Sequence, residues 1–252
     1  MDRAKIKRSG QVLAPSIFTL GNMACGFYAV LATHIGEFKT AALCVLGGIV
    51  FDMLDGRVAR LVHGESSFGV EFDSLSDFLT FGVAPAYMMC ALLLKDYGPA
   101  GYLTAFLYAL CGGLRLARFN AVAQAGEETK KHFQGLPIPA AAGFLASLVL
   151  LYELVEQGSS ARTLAPIMNQ IPRVAMLGPF LMVGLSFLMV SNIPYGAFKQ
   201  RDALHPKNIR ILIALVLGLT LLYFYPHNAI FLIFLFYVLS GFTSLFFRRQ
   251  GS

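Results

Sequence analysis

The chain has 252 residues and a net charge of +6; 56% of it is hydrophobic and only 13% charged. A soluble domain carries about 25% charged residues, so this chain cannot cover a water-facing surface, and a soluble enzyme, a disordered chain and a basic nucleic-acid binder are excluded. The surplus of Lys and Arg then reads as an orientation signal, because membrane proteins keep these residues on the cytoplasmic side.

About 20 apolar residues in a helix cross a hydrocarbon core. The sequence predicts eight such spans, at 12–34, 38–62, 70–95, 97–124, 137–157, 172–191, 207–225 and 227–247. The expected fold is an all-α, polytopic membrane helix bundle, one integral domain over 1–252. The first span follows Arg3, Lys5, Lys7 and Arg8 in the manner of a signal peptide. Its apolar run is too long for one and lacks a cleavage site, so it is expected to be retained. Gly21, Asn22 and Gly26 interrupt it; Asn22 reads either as a helix–helix hydrogen bond or as a side chain facing a polar cavity. Cys25, Cys44, Cys90 and Cys111 lie inside apolar runs with no CxxC pair, and read as small core hydrophobes. Polar stretches at 125–134 and 157–170 are connections, and Tyr225-Pro226-His227-Asn228 is a tight turn.

Eight spans put both termini on one side. That side would hold Arg3, Lys5, Lys7 and Arg8, then Arg57 and Arg60, then Arg115, Arg118, Lys130 and Lys131. Lys199, Arg201, Lys207, Arg210, Arg248 and Arg249 complete 16 of the 20 basic residues. The asymmetry predicts a multi-pass protein of the inner (cytoplasmic) membrane with both termini in the cytoplasm.

Ionisable residues inside spans are costly and mark function by default. The second span ends with Asp52 and Asp55, three apart; the third begins with Asp73 and Asp77, four apart. Each pair shares a helix face. A short turn makes the two spans antiparallel, so the pairs can face each other at the cytoplasmic edge. Four carboxylates there repel unless a cation lies between them, or unless Arg57, Arg60 and Arg115 pair with them. An all-oxygen donor set suits Mg²⁺ or Mn²⁺ rather than zinc, and one or two such ions are familiar at sites of displacement at phosphorus. Gly56 and Gly69 flank the carboxylates, either for close approach of a ligand or for helix packing. Arg60, one turn beyond Gly56, could meet a phosphate.

The run Asp52-x2-Asp55-Gly56-x2-Ala59-Arg60-x8-Gly69-x3-Asp73-x3-Asp77 resembles the signature of the CDP-alcohol phosphatidyltransferases, with all eight fixed positions present within 26 residues. The resemblance implies a six-helix core over 12–191, followed by a helical hairpin at 207–247. It implies transfer of a phosphatidyl group from a CDP-linked lipid to an alcohol, with release of CMP. Position by position it makes Asp52, Asp55, Asp73 and Asp77 the metal carboxylates, with Asp77 also the general base. Gly56, Ala59, Arg60 and Gly69, joined by Asn22, would line the CDP-lipid pocket. Members are commonly homodimers.

Three further stretches resemble the family's phosphatidylserine synthase branch: Gly113-Leu-Arg115-Leu-Ala-Arg118-Phe-Asn120, Phe133-Gln-Gly135-Leu-Pro137-Ile-Pro139, and Ser191-Asn192-Ile-Pro194-Tyr195. Arg115 and Arg118, with Asn120, are then candidates to hold an L-serine carboxylate, against a reading as positive-inside anchors. The implied substrates are CDP-diacylglycerol and L-serine among membrane lipids. Choline or an inositol derivative is the alternative acceptor. Outside the enzymes, a divalent-cation transporter would also place aspartates in a membrane.

Overall fold

A computed structural model describes residues 3–62, 67–124, 133–156, 158, 164–195, 220 and 222–248. Helices α1 (Arg3–His34) and α2 (Phe38–Val62) form the first hairpin. Gly36, at φ 82°, closes α1: its N–H bonds the Thr33 carbonyl at 3.1 Å, and the Glu37 N–H bonds that of Ala32 at 2.8 Å. This is the paired capping that a left-handed residue permits. Ala29 and Ala32 of α1 and Ala41, Ala42 and Val45 of α2 are all buried, and the two helices pack along each other; small side chains let helix backbones approach.

The apolar stretch 68–122 is 55 residues long, which as one helix would reach about 80 Å, far more than a bilayer core of about 30 Å. It folds back instead. Helix α3 (Ser67–Asp77) runs into a π-helical turn (Phe78–Val83), α4 (Ala84–Met89), a second π turn (Cys90–Leu94) and one 3₁₀ turn. Gly98, at φ 55°, then reverses the chain into α5 (Gly98–Gln124). A Cβ on Gly101 would lie 2.0 Å from the Leu94 carbonyl oxygen, so only glycine lets the two arms close there.

Helix α6 (Ile138–Glu156) runs through the centre, with Leu145, Leu148 and Leu151 fully buried. Short α7 (Ala165–Met168) and α8 (Ile171–Met176) lead to α9 (Gly178–Val190), and α10 (Pro226–Arg248) packs on α6. Strands β1 (Phe133–Gln134) and β2 (Pro194–Tyr195) form an antiparallel two-residue ladder pairing Phe133 with Tyr195 and Gln134 with Pro194. Otherwise the described chain is helical.

Helices α2, α5, α6 and α10 match the apolar runs at 38–62, 97–124, 137–157 and 227–247 to within a residue at each end. Three others differ: α1 begins at Arg3, well before the run at 12–34; the run at 70–95 is interrupted by the π turns; and the run at 172–191 is two helices, because Pro179 has no N–H for the Ala175 carbonyl four residues back, so that α9 restarts at Gly178 after Leu177. The run at 207–225 lies outside the described residues except for 220 and 222–225. Two stretches, Phe68–Val122 and Ile138–Glu156, are long and apolar enough to cross a membrane. Large apolar side chains also stand outward on α1, α5 and α9, among them Phe27, Leu103, Phe106, Phe180 and Phe187. A lipid-facing surface has this character.

Candidate active site

Three carboxylates from two helices meet. Asp52 of α2 and Asp73 and Asp77 at the end of α3 each bring an oxygen within 4.8 Å of the others. Asp77 is buried, Asp52 and Asp73 partly so. The buried Oδ1 of Asp73 has no hydrogen-bond partner among the described residues. Convergent hard oxygens, one of them unpaired, fit a divalent cation better than a network satisfied within the protein. Asp55 is buried as well, but it stands with α1: the Thr19 hydroxyl donates to its Oδ2.

Helix α1 is the strut of the site. Asn22 Nδ2 donates to Asp77 Oδ1 at 2.9 Å. Ser76 Oγ donates to the Thr19 carbonyl at 3.1 Å, and Thr80 Oγ1 to that of Asn22 at 2.9 Å. Thr80 also fills the space against Gly26 and Gly48, where a Cβ would fall 2.3 and 2.5 Å from its side chain. Asn22 thus makes a helix–helix bond, and that bond ends on a carboxylate of the cluster. The sequence pattern missed Thr19, although it lies three residues before Asn22 and so shares its face.

The wide turn begins directly after Asp77. Such π-helical insertions recur at functional sites. The buried Tyr108 hydroxyl donates to the Phe81 carbonyl inside it at 3.2 Å. Helix α5 reaches the turn through two glycines: a Cβ on Gly112 would lie 2.6 Å from Ile138, and one on Gly113 would lie 3.1 Å from the Phe78 ring. That approach brings Arg115 close enough to Asp77 for their charges to interact. Arg115 is only 9% exposed, and its Nε has no hydrogen-bond partner among the described residues.

Arg118 is placed differently. Its Nη1 donates to the Val190 carbonyl at 3.1 Å and to Asn192 Oδ1 at 3.4 Å, and its Nη2 to the Ser191 carbonyl at 3.5 Å. A guanidinium at a helix C-terminus suits the exposed carbonyls there. Asn120 donates to Ser74 Oγ at 2.9 Å and to Glu71 Oε2 at 3.4 Å, tying α5 to α3. The three stretches singled out in sequence are one unit in space. Gly135, at φ 81°, donates its N–H to the Ile193 carbonyl at 2.9 Å, and the ladder joins 133–134 to 194–195. A Cβ on Gly135 would lie 2.3 Å from the Met189 carbonyl oxygen.

Gly56 is exposed, and a Cβ there would meet nothing within 4 Å, so helix packing does not require the glycine. Gly69 lies in the first turn of α3. Ala59 and Arg60 lie in the last turns of α2; their side chains are outside what the structure describes.

A sequence model of the CDP-alcohol phosphatidyltransferase family matches residues 12–190. The chain is 33% identical over 221 residues to the CDP-diacylglycerol–serine O-phosphatidyltransferase of Helicobacter pylori, covering 86% of this chain and 84% of that one. It is 34% identical over 190 residues to the Bacillus subtilis protein of the same name, covering 75% and 93%. An archaetidylserine synthase from Methanothermobacter thermautotrophicus is 33% identical over 189 residues, covering 73% and 70%.

Proposed function

The chain belongs to the CDP-alcohol phosphatidyltransferase family, and from that premise we propose that it transfers the phosphatidyl group of CDP-diacylglycerol to the hydroxyl of L-serine. The serine oxygen forms the new bond to phosphorus, the bond to CMP breaks, and the hydroxyl proton passes to a carboxylate. One observation carries the serine assignment: relatives matched along most of both chains bear that activity in their names. Membership of an enzyme family also sets aside the cation-transporter alternative.

Each part of the site has a task in this reading. Asp77 takes the proton, its plane fixed by Asn22 at Oδ1, so that Oδ2 serves as base. Asp52, Asp55, Asp73 and Asp77 are the carboxylates for Mg²⁺ or Mn²⁺, with the convergent trio the best-supported set. A bound cation would neutralise the diphosphate and favour departure of CMP. Gly56, Ala59, Arg60 and Gly69 line the donor's side, where the open space beside Gly56 admits a close approach. Asn22, grouped with them by sequence, acts through Asp77.

Arg115 is the partner of the serine carboxylate. It is buried, near Asp77, and its Nε is unpaired among the described residues. Arg118 acts by holding the 191–192 turn in place, and Asn120 by tying α5 to α3. Serine, choline, inositol and glycerol 3-phosphate, each offered with CDP-diacylglycerol, test the reading. Phosphatidylserine and stoichiometric CMP should form from serine; lipid product from another alcohol and none from serine would overturn the assignment.

The chain is a membrane protein by its family and its apolar stretches. For topology we propose eight spans in the inner membrane, a six-helix core over 12–191 with a hairpin at 207–247, and both termini in the cytoplasm as a homodimer. The support is the distribution of basic residues. With the native cysteines replaced by serine, a cysteine at Gly251 should react with an impermeant maleimide only after the inner face is opened. Reaction on intact cells would sink the topology, and single copies on subunit counting in vesicles would sink the dimer.

A further inference from the structure

The turn at 191–195 and helix α10 both lie beyond the region matched by the family, 12–190, and one side chain joins them. Tyr195, at the end of β2, is buried and donates its hydroxyl to the Val238 carbonyl of α10 at 3.2 Å. The Tyr237 ring stacks on its ring, with centroids 5.9 Å apart and planes 26° apart. The Tyr195 ring also lies over Gly241, where a Cβ would fall 2.3 Å from the ring carbon Cζ, so an alanine there would have to displace it. Helix α10 is itself seated on the central helix α6. Its Phe234 ring lies over Gly143, where a Cβ would fall 2.3 Å from Cζ, and Phe231 stacks on Phe144 with centroids 5.6 Å apart.

The turn held in this way borders the carboxylates on one flank. The stripe of α3 that carries Asp73 and Asp77 meets Asp52 of α2, and the space beside Gly56 of that helix is open to the donor. The neighbouring stripe, about 100° round the helix, meets α5 at two points. A Cβ on Gly113 would lie 3.1 Å from the Phe78 ring, and Asn120 donates to Ser74 Oγ at 2.9 Å. Between these two contacts along α5 stands Arg118, whose guanidinium bonds the Val190 and Ser191 carbonyls and Asn192 Oδ1. Displacement at phosphorus runs in line, with the incoming oxygen opposite the leaving one. A nucleotide on the α2 flank therefore leaves the α5 flank, and the turn beside it, to the acceptor.

We propose that the clasp between Tyr195 and Gly241 positions the acceptor side of the site: through it α10 holds the 191–195 turn, and with the turn Arg118, where the acceptor alcohol binds. Tyr195 is then a positioning residue that touches neither substrate. The inference rests on the serine reading above. The CDP-linked donor is what the family has in common, so a device outside the matched region fits the part of the reaction that varies.

Tyr195→Phe keeps the ring and its stacking and removes only the bond to Val238. Loss of one neutral hydrogen bond is a modest effect, so kcat/KM for serine should fall about 2–10-fold. Gly241→Ala drives a methyl group into the ring and shifts the turn; it should cost about 10–100-fold, the scale of a misplacement of about 1 Å. Both losses should fall on serine: the Kd for CDP-diacylglycerol, measured without serine, and its KM should stay within about twofold. A merely structural role would lower the use of both substrates together. Arg118→Gln should reproduce the serine-specific loss, because it frees the same turn from α5. The double variant of Tyr195→Phe and Gly241→Ala should lie within about twofold of Gly241→Ala alone, since the ring has already left its seat. If Gly241→Ala yields no folded protein, the milder Tyr195→Phe decides. Unchanged serine kinetics, an equal loss of CDP-diacylglycerol binding, or full multiplication of the two effects would overturn the proposal and leave the serine reading intact. A parent enzyme that takes another alcohol and not serine would overturn the serine reading, and the clasp would then stand or fall on the KM for that alcohol.

Discussion

Asp77→Asn should lower kcat by about 10²–10⁴-fold, the usual contribution of a general base, while CDP-diacylglycerol still binds. Asparagine keeps the size of the side chain and one oxygen, and that oxygen can still accept from Asn22 Nδ2, which now bonds Asp77 Oδ1 at 2.9 Å. What it cannot do is take the acceptor's proton. Because Asp77 is also one of three carboxylates within 4.8 Å of one another, two measurements are needed. Binding of CDP-diacylglycerol, measured with the acceptor absent, reports the donor side, and single-turnover release of CMP after adding serine reports the chemical step. Loss confined to the second identifies the base; an equal loss in the first would mean that Asp77 chiefly holds a cation. Asn22→Ala offers a milder version, since it leaves the carboxylate but frees its plane.

Asp73→Asn should have the next largest effect, on the order of 10²–10³ in kcat, the size seen when one preorganised electrostatic group is removed. The buried Asp73 Oδ1 lacks a hydrogen-bond partner among the described residues, so it is the oxygen whose position is hardest to explain without a cation. Chelation with EDTA should abolish turnover in the parent, and Mg²⁺ or Mn²⁺ should restore it. The variant should need more metal for half-restoration and should bind Mn²⁺ more weakly by electron paramagnetic resonance. Near-parental activity of Asp73→Asn at saturating metal would remove it from the ligand set. Asp55→Asn makes a useful contrast, because that carboxylate accepts from Thr19 and lies outside the convergent trio.

Apolar run length located α2, α5, α6 and α10 well, because a segment that is buried or faces lipid along most of its length stays mostly apolar; the polar residues inside helices, Asn22, Asp52 and Arg115 among them, then stand out. The carboxylate pairs were legible for a related reason: spacings of three and four place side chains on one face whatever the surroundings. Other features leave no local trace. A π turn at 78–83 has the same composition as an α-helix, so Phe78-Leu-Thr-Phe-Gly-Val reads as continuous helix. The ladder between 133–134 and 194–195 joins two residues to two others some 60 positions away, too short a segment for any periodicity. Arg115 and Arg118 are equivalent by spacing, and only the close approach of α5 at Gly112 and Gly113 separates a buried guanidinium from one that caps α9. Tyr195 and Tyr237 look like ordinary interfacial aromatics until they are seen stacked.

The clasp between Tyr195 and α10 has a consequence for the order in which the protein matures. During synthesis the aspartates, the Asn22 strut and the turn after Asp77 leave the ribosome early in this order, and the bonds from Asn22, Ser76 and Thr80 join them to one another. The turn ending at Tyr195 emerges after them, and the seat for its ring, at Val238 and Gly241, follows only after a further 43 residues or more. A nascent chain can therefore bring its carboxylates together while the 191–195 turn still lacks the helix that clasps it.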